Sequence, residues 1–253
     1  MIDHPSINNF LADGFGLRQQ LAQFLNIDLG TLDQRLPKST AKLAELHPGA
    51  FSAVAGALEQ EVERFYEQEV GAGHLYELCA WHLRSAPYIA DTLRVQSLIA
   101  TGQHLDFGGG IGSHAIAAAQ LPHVDQVWMV DLNGWNRNFV NERAQSLGLS
   151  HKLHCVRDLS APELPEKFDS LVCLDVLEHL PDPAEQLRIF ANKLKPTTGS
   201  ALFNWYFFKG FNWEYPFHFD GPEIVEDFFK TLQDLYLEKF HPYLITARLY
   251  SMR

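Results

Sequence analysis

Cysteine is scarce in this chain of 253 residues: Cys79, Cys155 and Cys173 stand far apart with no Cys-x-x-Cys pair. That spacing excludes a disulfide framework and a cysteine zinc site, and it leaves the three as reduced thiols in or near a core. Positive charge is also short, with 20 Lys and Arg against 31 Asp and Glu and a net charge of -11. Nucleic-acid affinity depends on Lys and Arg neutralising phosphates, so a nucleic-acid partner is not expected. No apolar run approaches the roughly 18 residues that a membrane span needs. The opening Met-Ile-Asp-His-Pro lacks the basic start and apolar run of a leader. The expectation is therefore a cytoplasmic protein with no membrane partner. The length suits one sizeable α/β domain plus a further segment.

Glycine, by contrast, is concentrated in one place. Residues 102–120 read Gly-Gln-His-Leu-Asp-Phe-Gly-Gly-Gly-Ile-Gly-Ser-His-Ala-Ile-Ala-Ala-Ala-Gln. His104 to Phe107 is a short apolar run ending near an acid, and the alanine-rich segment from Ile111 reads as a helix. Gly108, Gly109, Gly110 and Gly112 therefore fall on a strand-to-helix turn, where bare backbone and unpaired N–H groups can meet a ligand. Two cofactor frames fit the same residues. Gly110, Gly112 and Ala115 satisfy a G-x-G-x-x-A dinucleotide pattern, whereas Asp106, Gly108, Gly110 and Gly112 satisfy D-x-G-x-G-x-G.

Residues 7–100 read as helical almost throughout, with Pro37 and Pro48 as punctuation. Phe51 to Val70 reads as one long helix whose Glu59, Glu61, Glu63, Glu67 and Glu69 form a solvated face. These acids lack histidine partners at ligand spacing, and no metal-ligand set is read anywhere in the chain. Gly71 to Gly73 breaks that helix. The next two helices carry Tyr76, Trp81, His82 and Tyr88, and Tyr76, Trp81 and Tyr88 are candidate substrate contacts. Packing against the sheet is the alternative for each.

Beyond the loop, Gln126 to Leu132 is an apolar strand ending in Asp131, about twenty residues on, where an acid can accept from ribose hydroxyls. A helix follows to Leu147, stopped by Gly148. Lys152 to Leu159 is a third strand, with Asp158 at its end as an adenine contact or a turn residue. Phe168 to Leu174 is a fourth, closed by Asp175. Asp182, Pro183 and Glu185 form an N-cap, first-turn proline and capping-box set. Gly199 to Phe208 reads as a fifth strand, Pro222 to Leu232 as an amphipathic helix, and Tyr236–His241 with Tyr243–Ser251 as two strands joined across Pro242.

The run Phe-Asp-Ser-Leu-Val-Cys-Leu-Asp-Val-Leu-Glu-His-Leu-Pro-Asp-Pro from Phe168 resembles the stretch after strand four in small-molecule methyltransferases of the ubiquinone and menaquinone type. Asp106 to Gly112 resembles motif I of class I S-adenosylmethionine-dependent methyltransferases. The resemblance covers about Gly102 onward and breaks the tie between the two frames, because the paired terminal strands suit that fold and leave no room for a second dinucleotide half. It implies a Rossmann-like α/β domain over 101–253, with a seven-stranded, mostly parallel sheet and the last strand antiparallel. Residues 1–100 would be an N-terminal helical lid or substrate segment.

The resemblance also implies roles. Asp106, Gly108, Gly110 and Gly112 would hold the methionine part of S-adenosylmethionine, Asp131 and Leu132 the ribose, Asp158 and Leu159 the adenine edge. Asp175 and Val176 would line the wall near the sulfonium, and the position of Gly109 is variable in the family. The product would be S-adenosylhomocysteine. His179, with His218 second, is the candidate general base. Aromatic residues crowd the segment after strand five, and Tyr206, Trp213 and Tyr215 are candidate acceptor contacts. The expected reaction is methyl transfer to oxygen or nitrogen of a small molecule. A peptide or protein acceptor, an NAD-dependent oxidoreductase and a non-catalytic binder of the cofactor are the alternatives.

Overall fold

The short apolar runs after Thr101 are buried on both faces, as strands of a parallel sheet flanked by helices must be. In the computed structural model, which describes residues 5–46, 57–240 and 247–253, they form one seven-stranded sheet. The strands are β1 (Gly102–Phe107), β2 (Val124–Val130), β3 (Leu153–Val156), β4 (Ser170–Cys173), β5 (Ser200–Phe203), β6 (Tyr236–Lys239) and β7 (Arg248–Met252). Their order is β3-β2-β1-β4-β5-β7-β6. The first five pair in parallel, and β7 runs antiparallel between β5 and β6, as the resemblance implied. β1 is central, so its carboxyl end faces the crevice where open α/β sheets bind ligands.

Helices α1 (Pro5–Asp13), α2 (Leu17–Phe24), α3 (Leu29–Arg35), α4 (Ser39–Glu45), α5 (Ala57–Arg64), α6 (Gly73–Arg84) and α7 (Ala86–Ile99) precede the sheet. Between and after its strands come α8 (Ser113–Ala119), α9 (Gly134–Ser146), α10 (Pro183–Lys193) and α11 (Pro222–Leu235). One face of the sheet packs on α1, α7, α8 and α9 through Phe10, Ile89, Leu93, the alanines of α8, Met129 and Val140. The opposite face packs on α10 and α11 through Leu171, Phe190, Phe203, Phe228 and Tyr236. A third cluster joins Leu17, Leu21, Leu32, Leu75 and Cys79 of the N-terminal helices to Ile111 and Phe139. The N-terminal segment is thus packed directly on the glycine turn.

The structure adjusts several boundaries. Residues 51–56 of the expected long helix, and the junction across Pro242, lie outside the described residues. α5 continues into a π-helical turn, Phe65–Glu69, in which the Val70 N–H donates to Phe65 O at 3.0 Å. β5 ends at Phe203 rather than Phe208, because the Asn204 side chain turns to Asp175 while Trp205 and Phe207 pack on Phe228 of α11. Asp182 caps α10 as expected, accepting from the Glu185 N–H at 2.8 Å, but the Glu185 carboxylate pairs with Arg188 instead of closing a capping box. Fold information carried by continuous apolar runs was legible here; side chains that leave a strand for a neighbouring turn were not.

Arg143 of α9 ties the two segments together. Its side chain is 1% exposed and donates to Gln20 Oε1 at 2.7 Å, Ile111 O at 2.6 Å and Gly14 O at 2.8 Å. Burial lowers the guanidinium to about 10 against its usual 12.5, so it stays charged at neutral pH. Its forked donors match three acceptors that a point charge cannot reach together. Arg143→Ala leaves buried carbonyls without donors and is expected to cost on the order of 3 kcal/mol in urea unfolding, with Arg143→Lys restoring less than half. An Arg143→Ala protein as stable as the parent would show that the strut contributes nothing.

Candidate active site

The carboxyl ends of β1, β2, β4 and β5 bring the sequence-marked acids to one edge of the sheet. Gly108 takes φ +73°, and a Cβ there would lie 2.3 Å from Val176 Cγ2. Only glycine serves where the turn needs both that dihedral and that approach. At Gly109 a Cβ would meet Met129 Cγ at 2.4 Å, so a position expected to vary is sterically fixed in this chain. The turn then places the Gly110 N–H against Asp131 Oδ2 at 2.9 Å.

Asp131 also accepts from the Asn133 N–H at 2.8 Å and from Asn136 Nδ2 at 3.2 Å. Burial outweighs these donors and lifts its carboxyl to about 6. Asp106, at the end of β1, is lifted to about 7, chiefly by burial, and its Oδ2 has no hydrogen-bond partner. Leu132 lends its carbonyl to Arg137 Nη1 at 2.7 Å. Two buried acids facing one glycine turn suit a ligand that brings positive charge.

Asp158, read as an adenine contact or a turn residue, closes a turn on itself. Its carboxylate accepts from the Ser160 N–H at 2.9 Å, from the Ser160 hydroxyl and from Arg157 Nη1 at 2.6 Å. It is a turn residue, and Arg157 carries the turn to the N-terminal segment through Glu67 at 2.8 Å and Glu63 at 3.6 Å. Leu159 packs with the cluster beneath α10.

Asp175 takes φ +55°, a conformation uncommon for a residue with a Cβ. Asn204 holds it there: Oδ1 accepts from the Asp175 N–H, and Nδ2 donates to Asp175 Oδ1 at 2.7 Å. Asn204 Nδ2 also donates to the Tyr88 hydroxyl at 2.7 Å. Asn204 went unread in the sequence because it sits inside an apparently continuous strand.

The two expected bases also meet. The rings of His179 and His218 lie 4.8 Å apart, centroid to centroid. His179 Nδ1 is 3.2 Å from Phe217 O, and His218 Nδ1 is 3.1 Å from Phe208 O. Burial pushes His179 down to about 3 and lowers His218 as well, so both imidazoles are neutral. Glu178 beside them is 2% exposed and raised by burial to about 8. It belongs to the motif that drew attention to His179, yet carried no assigned role. Tyr66 of the π-helical turn, also unread, faces His179 at 6.2 Å and His74 at 6.1 Å.

Of the expected acceptor contacts, Tyr88, Tyr206 and Tyr215 reach this edge. Tyr215 stacks on His218 at 5.1 Å, and Tyr206 meets both Tyr215 and His218 edge-on. Three others do not converge on it. Tyr76 receives a hydrogen bond from Arg35 at 2.9 Å, Trp81 packs against His82 and Tyr88, and Trp213 is 70% exposed beneath Lys209.

A family model described as a methyltransferase domain matches residues 75–208, more than half of the chain. The chain belongs to that family. The methyltransferase domain has the class I sheet described above, and its cofactor is S-adenosylmethionine. It is 36% identical over 98 residues to a ubiquinone biosynthesis O-methyltransferase of Xanthomonas campestris, spanning 38% of each chain. It is 33% identical over 119 residues to an uncharacterized protein of Synechococcus, spanning 46% of this chain and 28% of that one. The match thus covers well under half the length of these relatives. Among solved structures, magnesium protoporphyrin IX methyltransferase of Synechocystis gives a TM-score of 0.48 at 18% identity, covering 70% of this chain and 84% of that one.

The acids give the methyltransferase domain a pH signature. A carboxyl raised by folding contributes stability that is present below its unfolded value and is lost as pH rises through its folded value. Asp106, raised from 3.8 to about 7, should therefore destabilise the unliganded protein progressively between those values. Asp106→Asn is expected to gain melting temperature relative to the parent as pH is raised from about 5 to about 8. Parallel pH profiles for the two proteins would show that Asp106 is not held against its charge.

Proposed function

We propose that this chain transfers a methyl group from S-adenosylmethionine to an oxygen or nitrogen of a small-molecule acceptor. The observation that carries the reading is the pair of buried acids at the ends of β1 and β2, with Asp131 closed on the Gly110 N–H and an Asp106 oxygen left without a partner. The ammonium of S-adenosylmethionine suits Asp106, whereas a pyrophosphate at that place, with its negative charge, does not; Asp131 serves a ribose in either case. Asp106 with Gly108, Gly110 and Gly112 would hold the methionine part, and Asp131 with Leu132 the ribose. The turn shaped by Asp158 would present Leu159 to the adenine edge.

When bound, S-adenosylmethionine supplies an activated methyl group that the acceptor displaces in line. What the protein adds is placement, for which effective molarities of about 10⁵ to 10⁸ M, roughly 7 to 11 kcal/mol, set the scale. Asn204 and Tyr88 fix Asp175, and Asp175 with Val176 forms the wall against which the reacting centre would lie. Tyr206 and Tyr215, in edge-on contact with one another and both against His218, wall the acceptor side. The N-terminal helices form the cover, with Tyr66 lowered toward His179. The neutral His179 and His218 accept a proton weakly and serve better as lone-pair donors toward the acceptor. The naming of the Xanthomonas relative as an O-methyltransferase favours oxygen as the accepting atom.

Isothermal titration with S-adenosylmethionine, S-adenosylhomocysteine and NAD tests the reading. Micromolar binding of both adenosyl compounds is expected, weakened about a hundredfold by Asp131→Ala, which removes about 3 kcal/mol of charge-assisted hydrogen bonding. Binding of NAD alone would return the glycine turn to a dinucleotide role. Once an acceptor is in hand, Tyr215→Ala should raise its KM several-fold while leaving cofactor affinity intact. An unchanged KM would place Tyr215 outside the acceptor wall.

A further inference from the structure

The buried face of α9 is one stripe, Asn136, Phe139, Val140, Arg143 and Ala144, at the three- and four-residue spacing of a helix. Two of its members are polar. Arg143 is the strut to the glycine turn. Asn136 is 0% exposed at the other end of the stripe, where a leucine would pack with no polar group to satisfy. A buried amide needs hydrogen bonds to offset its lost hydration, so the partners of Asn136 show what the position serves.

The Asn136 amide nitrogen has two hydrogens and three acceptors in reach. Nδ2 lies 3.2 Å from Asp131 Oδ1, 3.3 Å from Asp131 Oδ2 and 3.1 Å from His74 Nδ1. Its carbonyl oxygen is buried with no hydrogen-bond partner. Turning the amide over would set that oxygen against the Asp131 carboxylate, so the unpaired carbonyl is the cost of aiming the donor at the acid. His74 fits this orientation. Burial lowers its imidazole to about 4, so the ring is neutral, and an Nδ1 that accepts leaves the hydrogen on Nε2. Asn133 makes a parallel tie: its N–H donates to Asp131 Oδ1 at 2.8 Å and its Nδ2 to Gly71 O at 3.0 Å. Both asparagines therefore face the acid on one side and residues 71–74 of the N-terminal helices on the other.

We infer that Asn136 is a positioning residue for cofactor binding, fixing the Asp131 carboxylate through both of its oxygens and joining it to the N-terminal helices through His74. That this carboxylate meets a ribose rests on the methyl-transfer reading. Each oxygen takes one backbone N–H, Asn133 on Oδ1 and Gly110 on Oδ2, and Asn136 bridges the two. Rotation of the carboxylate breaks these bonds together, so its remaining lone pairs keep one direction toward a pair of hydroxyls. A ligand that restrains Asp131 also restrains His74, which shares the same amide.

Among the described residues, Asn136 is the only side chain that donates to the Asp131 carboxylate. The charged and titratable groups around that carboxylate are Arg137 of α9, Asp106 of β1, Cys155 of β3, Tyr66 of the π-helical turn and, beyond Asn136, His74 of α6. Asp106 titrates in a neighbouring range, so the readout must be Asp131 itself.

The test is carbon NMR of the full-length protein labelled at its aspartate carboxyls, with the Asp131 resonance assigned by its loss in Asp131→Asn. Calorimetric titrations with S-adenosylhomocysteine run alongside, from about pH 5 to about pH 9. In the ligand-free parent the carboxyl is expected to titrate at about 6. Asn136→Leu keeps the bulk and removes the donor, and should raise that midpoint by about one unit. Affinity for S-adenosylhomocysteine should fall about tenfold at neutral pH, with part of the loss returning as pH rises and the carboxyl ionises. In His74→Leu the midpoint should stay at the parent value, while the slowing of hydrogen exchange at amides 71–76 by S-adenosylhomocysteine is lost. Circular dichroism checks folding, and Asn136→Ser carries the comparison if Asn136→Leu does not fold. An unmoved midpoint in a folded Asn136 variant, or an affinity loss of the same size at every pH, overturns the positioning role. Exchange slowed equally in His74→Leu and the parent overturns the tie to the N-terminal helices. A raised midpoint in a protein whose parent binds neither adenosyl compound leaves Asn136 as the holder of Asp131 and removes the methyl-transfer reading instead.

Discussion

A single buried guanidinium holds this architecture together. Arg143 has no carboxylate among its hydrogen-bond partners; its charge is met by the carbonyl dipoles of Gly14 and Ile111 and by the Gln20 amide. An unsatisfied ion at that depth would cost several kcal/mol, so α9, the glycine turn and the bend between α1 and α2 must keep their mutual positions for the charge to be tolerated. The glycine turn and the N-terminal helices packed on it are therefore not independent parts. A displacement of either leaves Arg143 with an empty donor.

The edge itself is built from a conflict between packing and charge. Val176 and Met129 press on the turn so closely that side chains at 108 and 109 are excluded, which seals the turn against its own protein. The same closeness strips water from Asp106 and Asp131, and desolvation raises both carboxyls. A cation that enters relieves a burden already present in the empty protein, so part of its binding energy comes from the fold rather than from new contacts.

The sheet was legible in the sequence because it follows from hydrophobic run length and turn residues, properties local to each strand. The glycine turn, Asp131 and Asp175 were legible for the same reason, since each closes a strand. Asn204, Tyr66 and Glu178 were not. Asn204 acts by leaving a strand that polarity alone would extend. Tyr66 depends on a π-helical turn that no amphipathic pattern announces. Glu178 acquires meaning only when the loop carrying His218 folds back beside it. Trp213 shows the opposite failure: an aromatic in a suggestive segment that stands in solvent, with Lys209 over its ring. Aromatic density marks a region, and the backbone decides which members face inward.

The π-helical turn at Phe65–Glu69 also bears on how such a protein could diversify. A π-turn holds one residue more than the α-helix around it, so its rings are set by helical phase as well as by identity. Deleting one residue there would rotate everything that follows by about 100° and carry a different side chain over His179. The ring that faces His179 is thereby set by a counting variable, and an insertion or deletion in α5 would exchange it while every acid at the strand ends stays in place.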